Sequence, residues 1–156
     1  MKRTEGEGQQ ATDAGLEWIL MRLATRLERL QTEALAGLSE PVTFRQYRIL
    51  ARVRGGHTSL TGLAHALRRS LPTVSASVDI LVKRGLLTRD PAPNDRRLIT
   101  LGVTRRGVEV LEEGRVTLES LTSALTAHLP DQDREVLTKA LTEIYDLAGT
   151  YLNPRT

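Results

Sequence analysis

The residues with the most specific chemistry form two groups between positions 70 and 97. The first is a run of short side chains, several of them hydroxylic: Ser70, Pro72, Thr73, Ser75, Ala76 and Ser77. The second follows further along the chain, where Asp95 precedes Arg96 and Arg97. Short side chains let a backbone approach a surface closely, hydroxyls donate and accept hydrogen bonds, and guanidinium groups donate to anionic oxygens. Together the two groups could contact a polyanion that presents hydrogen-bonding edges.

The short side chains are expected on a helix. Ser70 can cap the free amides of a first turn that contains Pro72, which has no amide hydrogen to lose. An apolar stripe recurs at three- and four-residue steps and should pack on the domain: Leu71, Val74, Val78 and Leu81. Lys83 and Arg84 close this helix and Gly85 ends it. A Ser-rich amphipathic helix on any protein surface is the alternative, and the helix alone does not decide between the two.

The segments on either side favour one arrangement. Upstream, a second helix places four apolar residues on one face and joins the first through a three-residue Arg-Arg-Ser connection: Leu60, Leu63, Ala64 and Leu67. So short a connection is typical of a helix-turn-helix. Downstream, residues 86–90 and 97–103 are short β-prone runs around a Pro/Asn/Asp turn at 91–96, which predicts a hairpin. The order of helix, short connection, helix and hairpin predicts a winged helix-turn-helix.

From Ser59 to Gly107 the chain resembles the winged helix of the MarR family of bacterial transcription regulators. The resemblance rests on spaced elements: Ser70, Pro72, Thr73, Val74 and Ser75; Gly85, Leu86, Leu87 and Arg89; Asp95 and Arg97; Val103, Thr104 and Gly107. Val103 replaces a leucine of the pattern, and Ala76 stands where the family commonly has an arginine or another long polar residue. Loss of a bidentate base contact removes about 1 to 3 kcal/mol of discrimination between bases. The DNA sequence preference of the family is therefore the property that can least be carried over to this chain.

The resemblance implies that ten residues contact double-stranded DNA: Ser70, Pro72, Thr73, Ser75, Ala76, Ser77, Lys83, Arg84, Arg96 and Arg97. Within this set the short side chains would face base edges in the major groove, and Pro72 would touch a thymine methyl group. Arg97 matches the arginine that enters the minor groove from the wing, and Asp95 matches the acid that steadies it. Arg96 would then contact a phosphate or give further support. An ordinary polar turn is the alternative for Asp95 and Arg97.

Charge is distributed unevenly along the chain. Between Arg45 and Arg106 there are 13 Lys/Arg against 3 Asp/Glu, a local net charge of +10, although the whole chain carries only +3. The remaining residues therefore carry a net negative charge. A basic centre attracts a polyanion and predicts steeply salt-dependent binding. A solvated basic surface without a partner is the alternative.

Apolar side chains at helical spacing flank the winged helix, over residues 16–38, 108–129 and 136–152. We therefore expect a mainly α fold with a small β-hairpin wing. Its parts would be a disordered N-terminus (1–12), an N-terminal dimerisation helix (13–42), a winged helix-turn-helix DNA-binding domain (43–104) and C-terminal dimerisation helices (105–152). The resemblance implies a homodimer and hence a pseudo-palindromic DNA site. An intramolecular bundle in a monomer is the alternative.

Several classes of protein are disfavoured by what the sequence lacks. It has no cysteine, which excludes disulfides and a thiol-based oxidant sensor. Its three histidines, His57, His65 and His128, are far apart, and it has neither a nucleophile elbow nor a Gly-rich phosphate loop, so we expect no enzyme, metal site or cofactor. It has no apolar run of membrane-spanning length and no apolar stretch of a signal peptide at its start, so we expect a cytoplasmic protein.

The leading hypothesis is a ligand-responsive transcription regulator, usually a repressor in the family that the chain resembles. That resemblance implies a small lipophilic or phenolic effector between the dimerisation helices and the winged helix. By position, the candidates to line such a pocket are Trp18, Arg22, Tyr47 and Arg48. Two alternatives stay open: a DNA-binding regulator without an effector, and a winged-helix protein-interaction module whose DNA specificity is lost, as Ala76 would allow.

Overall fold

The computed structural model describes residues 15–92 and 95–152, without the side chains of residues 92–98 and 152. Within these ranges the helices are α1 (Leu16–Ala36), α2 (Phe44–Arg54), α3 (Leu60–Leu67), α4 (Leu71–Lys83), α5 (Arg105–Thr126) and α6 (Asp131–Leu152). Two strands, β1 (Leu87–Ala92) and β2 (Asp95–Val103), form an antiparallel hairpin. The expected mainly α fold with a β-hairpin wing is confirmed, whereas the expected disorder of residues 1–12 lies outside the described residues.

The chain divides into two compact units, one ending at Leu118 and the other beginning at Glu119. The first unit holds α1 to α4, the hairpin and the first part of α5 around an aliphatic core: Leu35, Leu38, Val42, Ile49, Leu50, Val53, Leu63, Ala64, Leu67, Val74, Val78, Leu81, Leu86, Leu87, Leu101, Val110 and Leu111. The second unit holds the end of α5 and α6, whose large apolar side chains are exposed: Val136, Leu137, Leu141, Ile144, Tyr145, Leu147 and Tyr151. No helix in the described ranges is long and apolar enough to cross a membrane.

Short hydroxyl residues start four of the described helices. Thr43 begins α2 with a capping box, and Ser59 and Ser70 cap α3 and α4 through their side-chain oxygens. Thr104 caps α5, because its hydroxyl accepts a hydrogen bond from the amide of Gly107 at 3.0 Å. The cap predicted at Ser70 is confirmed.

The turn between α3 and α4 is as short as the sequence predicts. Arg68 takes the left-handed conformation (φ 50°, ψ 51°), and the amide of Arg69 donates to the carbonyl oxygen of Ala64 at 3.0 Å. This pattern reverses the chain within Arg68, Arg69 and Ser70 and satisfies the last carbonyls of α3. After α4, Gly85 has φ +69°, a conformation that glycine adopts without a steric cost.

The wing is anchored at its base. Leu87 pairs with Val103 in the antiparallel register, and the amide of Leu101 donates to the carbonyl oxygen of Thr58 at 2.8 Å, which ties β2 to the connection between α2 and α3. A Cβ atom on Gly107 would lie 2.2 Å from the carbonyl oxygen of Leu86. The start of α5 therefore packs so closely on the residue that precedes β1 that only glycine fits there.

Two residues of α4 lie differently from the sequence expectation. Leu71, expected in the apolar stripe, is 47% exposed, whereas Ser77, expected among the base-facing side chains, is only 8% exposed. Ser77 follows Val74 by three residues and precedes Leu81 by four, so it shares the buried face of the helix. Its hydroxyl donates to the carbonyl oxygen of Thr73 at 3.1 Å, which satisfies the buried polar group within the helix. The assignment of Ser77 to the exposed face is therefore wrong.

Candidate nucleic-acid interface

The outward face of α4 presents short side chains. Pro72, Ala76 and Lys83 are exposed, and Thr73 and Ser75 are partly buried. The buried side of the helix, through Val74, Val78 and Leu81, packs into the core of the first unit. This packing fixes which side of α4 is available to a partner, and most of the predicted base-facing residues lie on that side.

The first turn of α4 is held by local hydrogen bonds. The amide of Thr73 donates to the side-chain oxygen of Ser70 at 3.4 Å, and the two hydroxyl oxygens are 2.7 Å apart. Each hydroxyl retains further hydrogen-bonding capacity, since a hydroxyl has one donor and two acceptor positions. Ser70 and Thr73 therefore form a joint polar site at the N-terminal end of the helix.

An ion pair links the outward face of α4 to the wing. Asp79 lies one turn before the end of the helix, and its carboxylate is 2.8 Å from Nη1 of Arg89 on β1. The Arg89 side chain is 29% exposed, and its Nε and Nη2 atoms are buried without a hydrogen-bond partner. Arg89 thus neutralises an acid that would otherwise repel a polyanion from the helix. This pair could not be predicted from the sequence, because it depends on how β1 packs against α4.

Arg84, predicted to contact DNA, instead belongs to a structural cluster. Its Nη2 atom donates to the carbonyl oxygen of Pro41 at 2.6 Å and to Oε1 of Glu40 at 3.2 Å. Glu40 also accepts a hydrogen bond from Arg106, which in turn donates to the carbonyl oxygen of Arg84 at 3.2 Å. The hydrogen bond from Arg106 is the largest of the influences that hold the pKa of Glu40 below its ordinary value.

We call Glu40, Arg84 and Arg106 the Glu40 cluster. It joins the connection before α2, the end of α4 and the start of α5, and it directs the Arg84 side chain toward Glu40 and Pro41. A DNA contact for Arg84 is therefore disfavoured by its geometry, whereas its neighbour Lys83 is exposed. A signal was present in the sequence: Glu40 is an isolated acid just before a long basic segment.

Other cations of the basic centre lie at the surface. The exposed ones are Arg45, Arg48, Arg52, Arg54, Arg68, Arg69, Lys83, Arg105 and Arg106. Two of these, Arg68 and Arg69, occupy the turn that leads directly into α4. Positive charge is thus exposed directly before α4, at Arg68 and Arg69, and at the end of this helix, at Lys83. Such a concentration of charge favours the approach of an anionic partner.

The tip of the wing is only partly described. Asp95, Arg96 and Arg97 belong to β2, and the register of the hairpin shifts between Pro91 and Ala92 on β1. Their side chains lie outside the described residues, so their predicted roles stay predictions.

A cavity of about 180 Å³ lies behind the start of α4, lined by Glu28, Phe44, Arg45, Arg48, Ile49, Leu67, Arg69, Thr73 and Val74. Of the four predicted pocket residues, only Arg48 lines this cavity.

The other three predicted pocket residues lie elsewhere. Tyr47 packs against α5, where a Cβ atom on Gly114 would come within 2.5 Å of the Tyr47 ring, and the Tyr47 hydroxyl donates to the carbonyl oxygen of Leu111 at 3.4 Å. Trp18 and Arg22 contact each other on α1, with the guanidinium carbon 4.6 Å from the ring centre. The four residues predicted to line an effector pocket therefore do not line one common cavity.

The described residues hold no group of three or more His, Asp or Glu side chains that could bind a metal ion. His57 lies in the connection between α2 and α3, and its Nδ1 atom is buried without a hydrogen-bond partner.

Comparison with known proteins identifies relatives. The sequence model of the MarR family matches residues 42–99. The uncharacterized HTH-type transcriptional regulator YhbI of Bacillus subtilis (strain 168) is 30% identical over 121 residues, which span 76% of this chain and 79% of YhbI.

Two solved structures share the fold. MepR, a transcription regulator of the Staphylococcus aureus multidrug efflux pump MepA, superposes with a TM-score of 0.74 at 18% identity, over 86% of this chain and 99% of MepR. A mutant of MarR from E. coli complexed with operator DNA superposes with a TM-score of 0.66 at 24% identity, over 83% of this chain and 92% of that chain.

Proposed function

Because the chain belongs to the MarR family, whose members are winged helix-turn-helix transcriptional regulators and not enzymes, we propose that it regulates transcription by binding operator DNA through α4. We further propose that it acts as a homodimer and as a ligand-responsive repressor. The observation that carries the proposal is the outward face of α4, where short and hydroxylic side chains lie between exposed cations at both ends of the helix.

The geometry of α4 supports direct contact with bases. Ser75 and Thr73 offer hydroxyls that can donate or accept in the major groove, and the small Ala76 allows close approach of the backbone. Arg69 before the helix and Lys83 at its end are exposed and can bind phosphates on either side of the groove. A MarR mutant that shares this fold is complexed with operator DNA, which supports DNA as the partner.

Exposed apolar side chains support the dimer. On α1, large apolar residues face solvent, including Leu16, Ile19, Met21 and Leu23, and α6 exposes a further set of seven. Surfaces of this kind are costly in water unless a partner covers them. A second copy of the chain is the partner that the family membership suggests. Twofold symmetry would place two copies of α4 in successive major grooves, about 34 to 36 Å apart.

The cavity behind α4 supports an effector with an anionic group. Three of its lining residues, Arg45, Arg48 and Arg69, are cationic against one acid, Glu28, and Phe44 and Leu67 provide apolar surface. A phenolate or carboxylate bound there would pair with arginines that could otherwise contact DNA phosphates, and Thr73 on the wall of the cavity links it to the first turn of α4. An effector that favours the DNA-free state by a few kcal/mol would suffice to release the operator.

The first test is a titration of the purified protein with the DNA that lies upstream of its own coding sequence. We expect tight, sequence-selective binding that weakens steeply with salt, by a species with the mass of a dimer. The same complex is then titrated with a simple phenolic carboxylate such as salicylate, which should release the DNA. Weak binding that is equal on all fragments, including a genomic library, would contradict the proposal and favour a protein-interaction module.

The role of the wing is tested separately with Arg97→Ala. We expect this substitution to weaken binding to a site with A·T-rich flanks several-fold, because a narrow minor groove concentrates negative potential that an arginine can bind. The mass of the dimer should not change. Unchanged affinity would remove the wing from the mechanism while leaving the contribution of α4 intact.

A further inference from the structure

We infer that α4 reads the methyl groups of thymine in the major groove, so that apolar contacts, beside the hydroxyls of Thr73 and Ser75, take the place of bidentate hydrogen bonds to guanine or adenine. This inference rests on the proposed function, and it assigns a chemical basis for the sequence preference of the same surface. The residues that carry it are Pro72, Ala76 and Ile80, which we call the apolar ridge.

The apolar ridge follows one line along the helix. Its members are four residues apart, a spacing that places side chains above one another on the same side of an α-helix. Pro72 and Ala76 are exposed, and Ile80 is 48% exposed although it is a large branched aliphatic residue. Eight residues of helix rise about 12 Å, which corresponds to about three or four base pairs at 3.4 Å each. The apolar ridge is therefore long enough to contact about three or four base pairs of the DNA that one copy of the chain would bind.

Side chains that make bidentate base contacts are scarce on this helix, which otherwise offers the hydroxyls of Thr73 and Ser75. The sequence of α4, LPTVSASVDILVK, contains no Arg, Asn, Gln, Glu or His. The bidentate contacts that identify guanine or adenine require Arg or Lys in the first case and Asn or Gln in the second. Lys83 is the one cation on α4 and lies at its last position. Asp79, which could accept a hydrogen bond from cytosine, is paired with Arg89 at 2.8 Å.

Electrostatics identifies DNA as the occupant of the apolar ridge. An exposed aliphatic row could dock on an apolar protein partner, but such a partner would have to approach between exposed cations, Arg68 and Arg69 at one end and Lys83 at the other. A thymine methyl group presents an apolar contact within an anionic groove, which matches both properties of this face. The neutralisation of Asp79 by Arg89 removes the charge that would oppose this contact.

The test compares thymine with uracil, which lacks only the 5-methyl group. A duplex selected by the full-length protein from a random library is resynthesised with uracil in place of each thymine in turn, and the affinity is measured for each duplex. We expect about a four-fold loss at one or more positions within three or four consecutive base pairs, the value for one buried methyl group. The loss of affinity on replacing thymine by uracil should be smaller for the variants Ile80→Ala and Ala76→Ser than for the parent protein. Double-mutant cycles that combine each protein variant with each uracil duplex measure this difference.

Val116→Ala is the matched control, because Val116 is a similarly exposed branched residue on α5. It should retain the full difference between thymine and uracil. Equal affinity for the thymine and uracil duplexes would overturn the inference and leave the proposed function standing. Failure to select any preferred duplex would overturn the proposed function together with the inference. A uracil effect that persists unchanged in Ile80→Ala and Ala76→Ser would also overturn the inference, since it would arise from the DNA alone.

Discussion

Two neighbouring cations at the end of α4 should differ in what they do, and a pair of alanine substitutions tests this. Lys83 is exposed, whereas Arg84 donates to the carbonyl oxygen of Pro41 at 2.6 Å and to Glu40 at 3.2 Å. Both substitutions remove one positive charge from adjacent positions. We expect Lys83→Ala to weaken DNA binding and Arg84→Ala to weaken the fold.

The magnitudes follow from the contacts. A charge-assisted hydrogen bond to a carbonyl contributes about 1.5 kcal/mol or more, and a partly exposed ion pair about 0.2 to 1 kcal/mol. The side chains of Arg84 and Glu40 are 29% and 22% exposed, so neither contact is fully screened. Arg84→Ala should therefore lower the free energy of unfolding by about 2 kcal/mol, which corresponds to roughly 4 to 8 °C in Tm for a chain of this size. Lys83→Ala should change it by less than about 0.5 kcal/mol.

The assay combines urea and thermal unfolding with DNA titrations at several salt concentrations. Lys83→Ala should reduce the slope of log K against log salt by about 0.9 per lost phosphate contact, and Arg84→Ala should leave this slope unchanged at temperatures where it is folded. A structural role for Arg84 would be contradicted by an Arg84→Ala variant that is as stable as the parent protein and loses the same salt dependence as Lys83→Ala. In that case the Glu40 cluster would not hold Arg84 in solution.

Three further substitutions test other parts of the structure. Glu40→Gln should lower stability at neutral pH, and the difference should vanish as the pH falls through the pKa of Glu40, which the hydrogen bond from Arg106 lowers; urea unfolding at several pH values measures this. Gly107→Ala should cost about 1 to 3 kcal/mol of unfolding free energy, because its Cβ atom would lie 2.2 Å from the carbonyl oxygen of Leu86. Ser77→Ala should leave DNA affinity unchanged in a binding titration, because the hydroxyl is buried and bonded within α4.

Each of these three substitutions has a matched control on the same chain. Glu109→Gln is the control for Glu40→Gln, Gly149→Ala for Gly107→Ala, and Ser75→Ala for Ser77→Ala. Glu109→Gln breaks an ion pair with Arg105 whose side chains are 60% and 94% exposed, and it should have little effect at any pH. Gly149→Ala adds a Cβ atom with no neighbour within 4 Å and should be neutral or slightly stabilising. Ser75→Ala removes a hydroxyl from the accessible side of α4 and should weaken binding to the selected duplex. Equal effects within any of these pairs would contradict the corresponding argument.

The local elements of this protein could be predicted from its sequence because their signals act over short distances. Ser70 and Pro72 start α4, Gly85 ends it, and Thr104 caps α5, in each case through contacts within a few residues. The alternation of β-prone runs around a Pro/Asn/Asp turn predicted the hairpin for the same reason. The concentration of positive charge between Arg45 and Arg106 is likewise a property of composition, and it did not depend on the fold.

The tertiary structure decided which side chains remain available to a partner. Arg84 and Lys83 are adjacent cations, and only the position of Glu40, more than forty residues earlier, distinguishes them. Ser77 follows the pattern of the exposed hydroxyls in the sequence but is buried, because the width of the packed face depends on how α4 meets the core. Long-range packing and ion pairs set these outcomes, and helical periodicity alone does not contain that information.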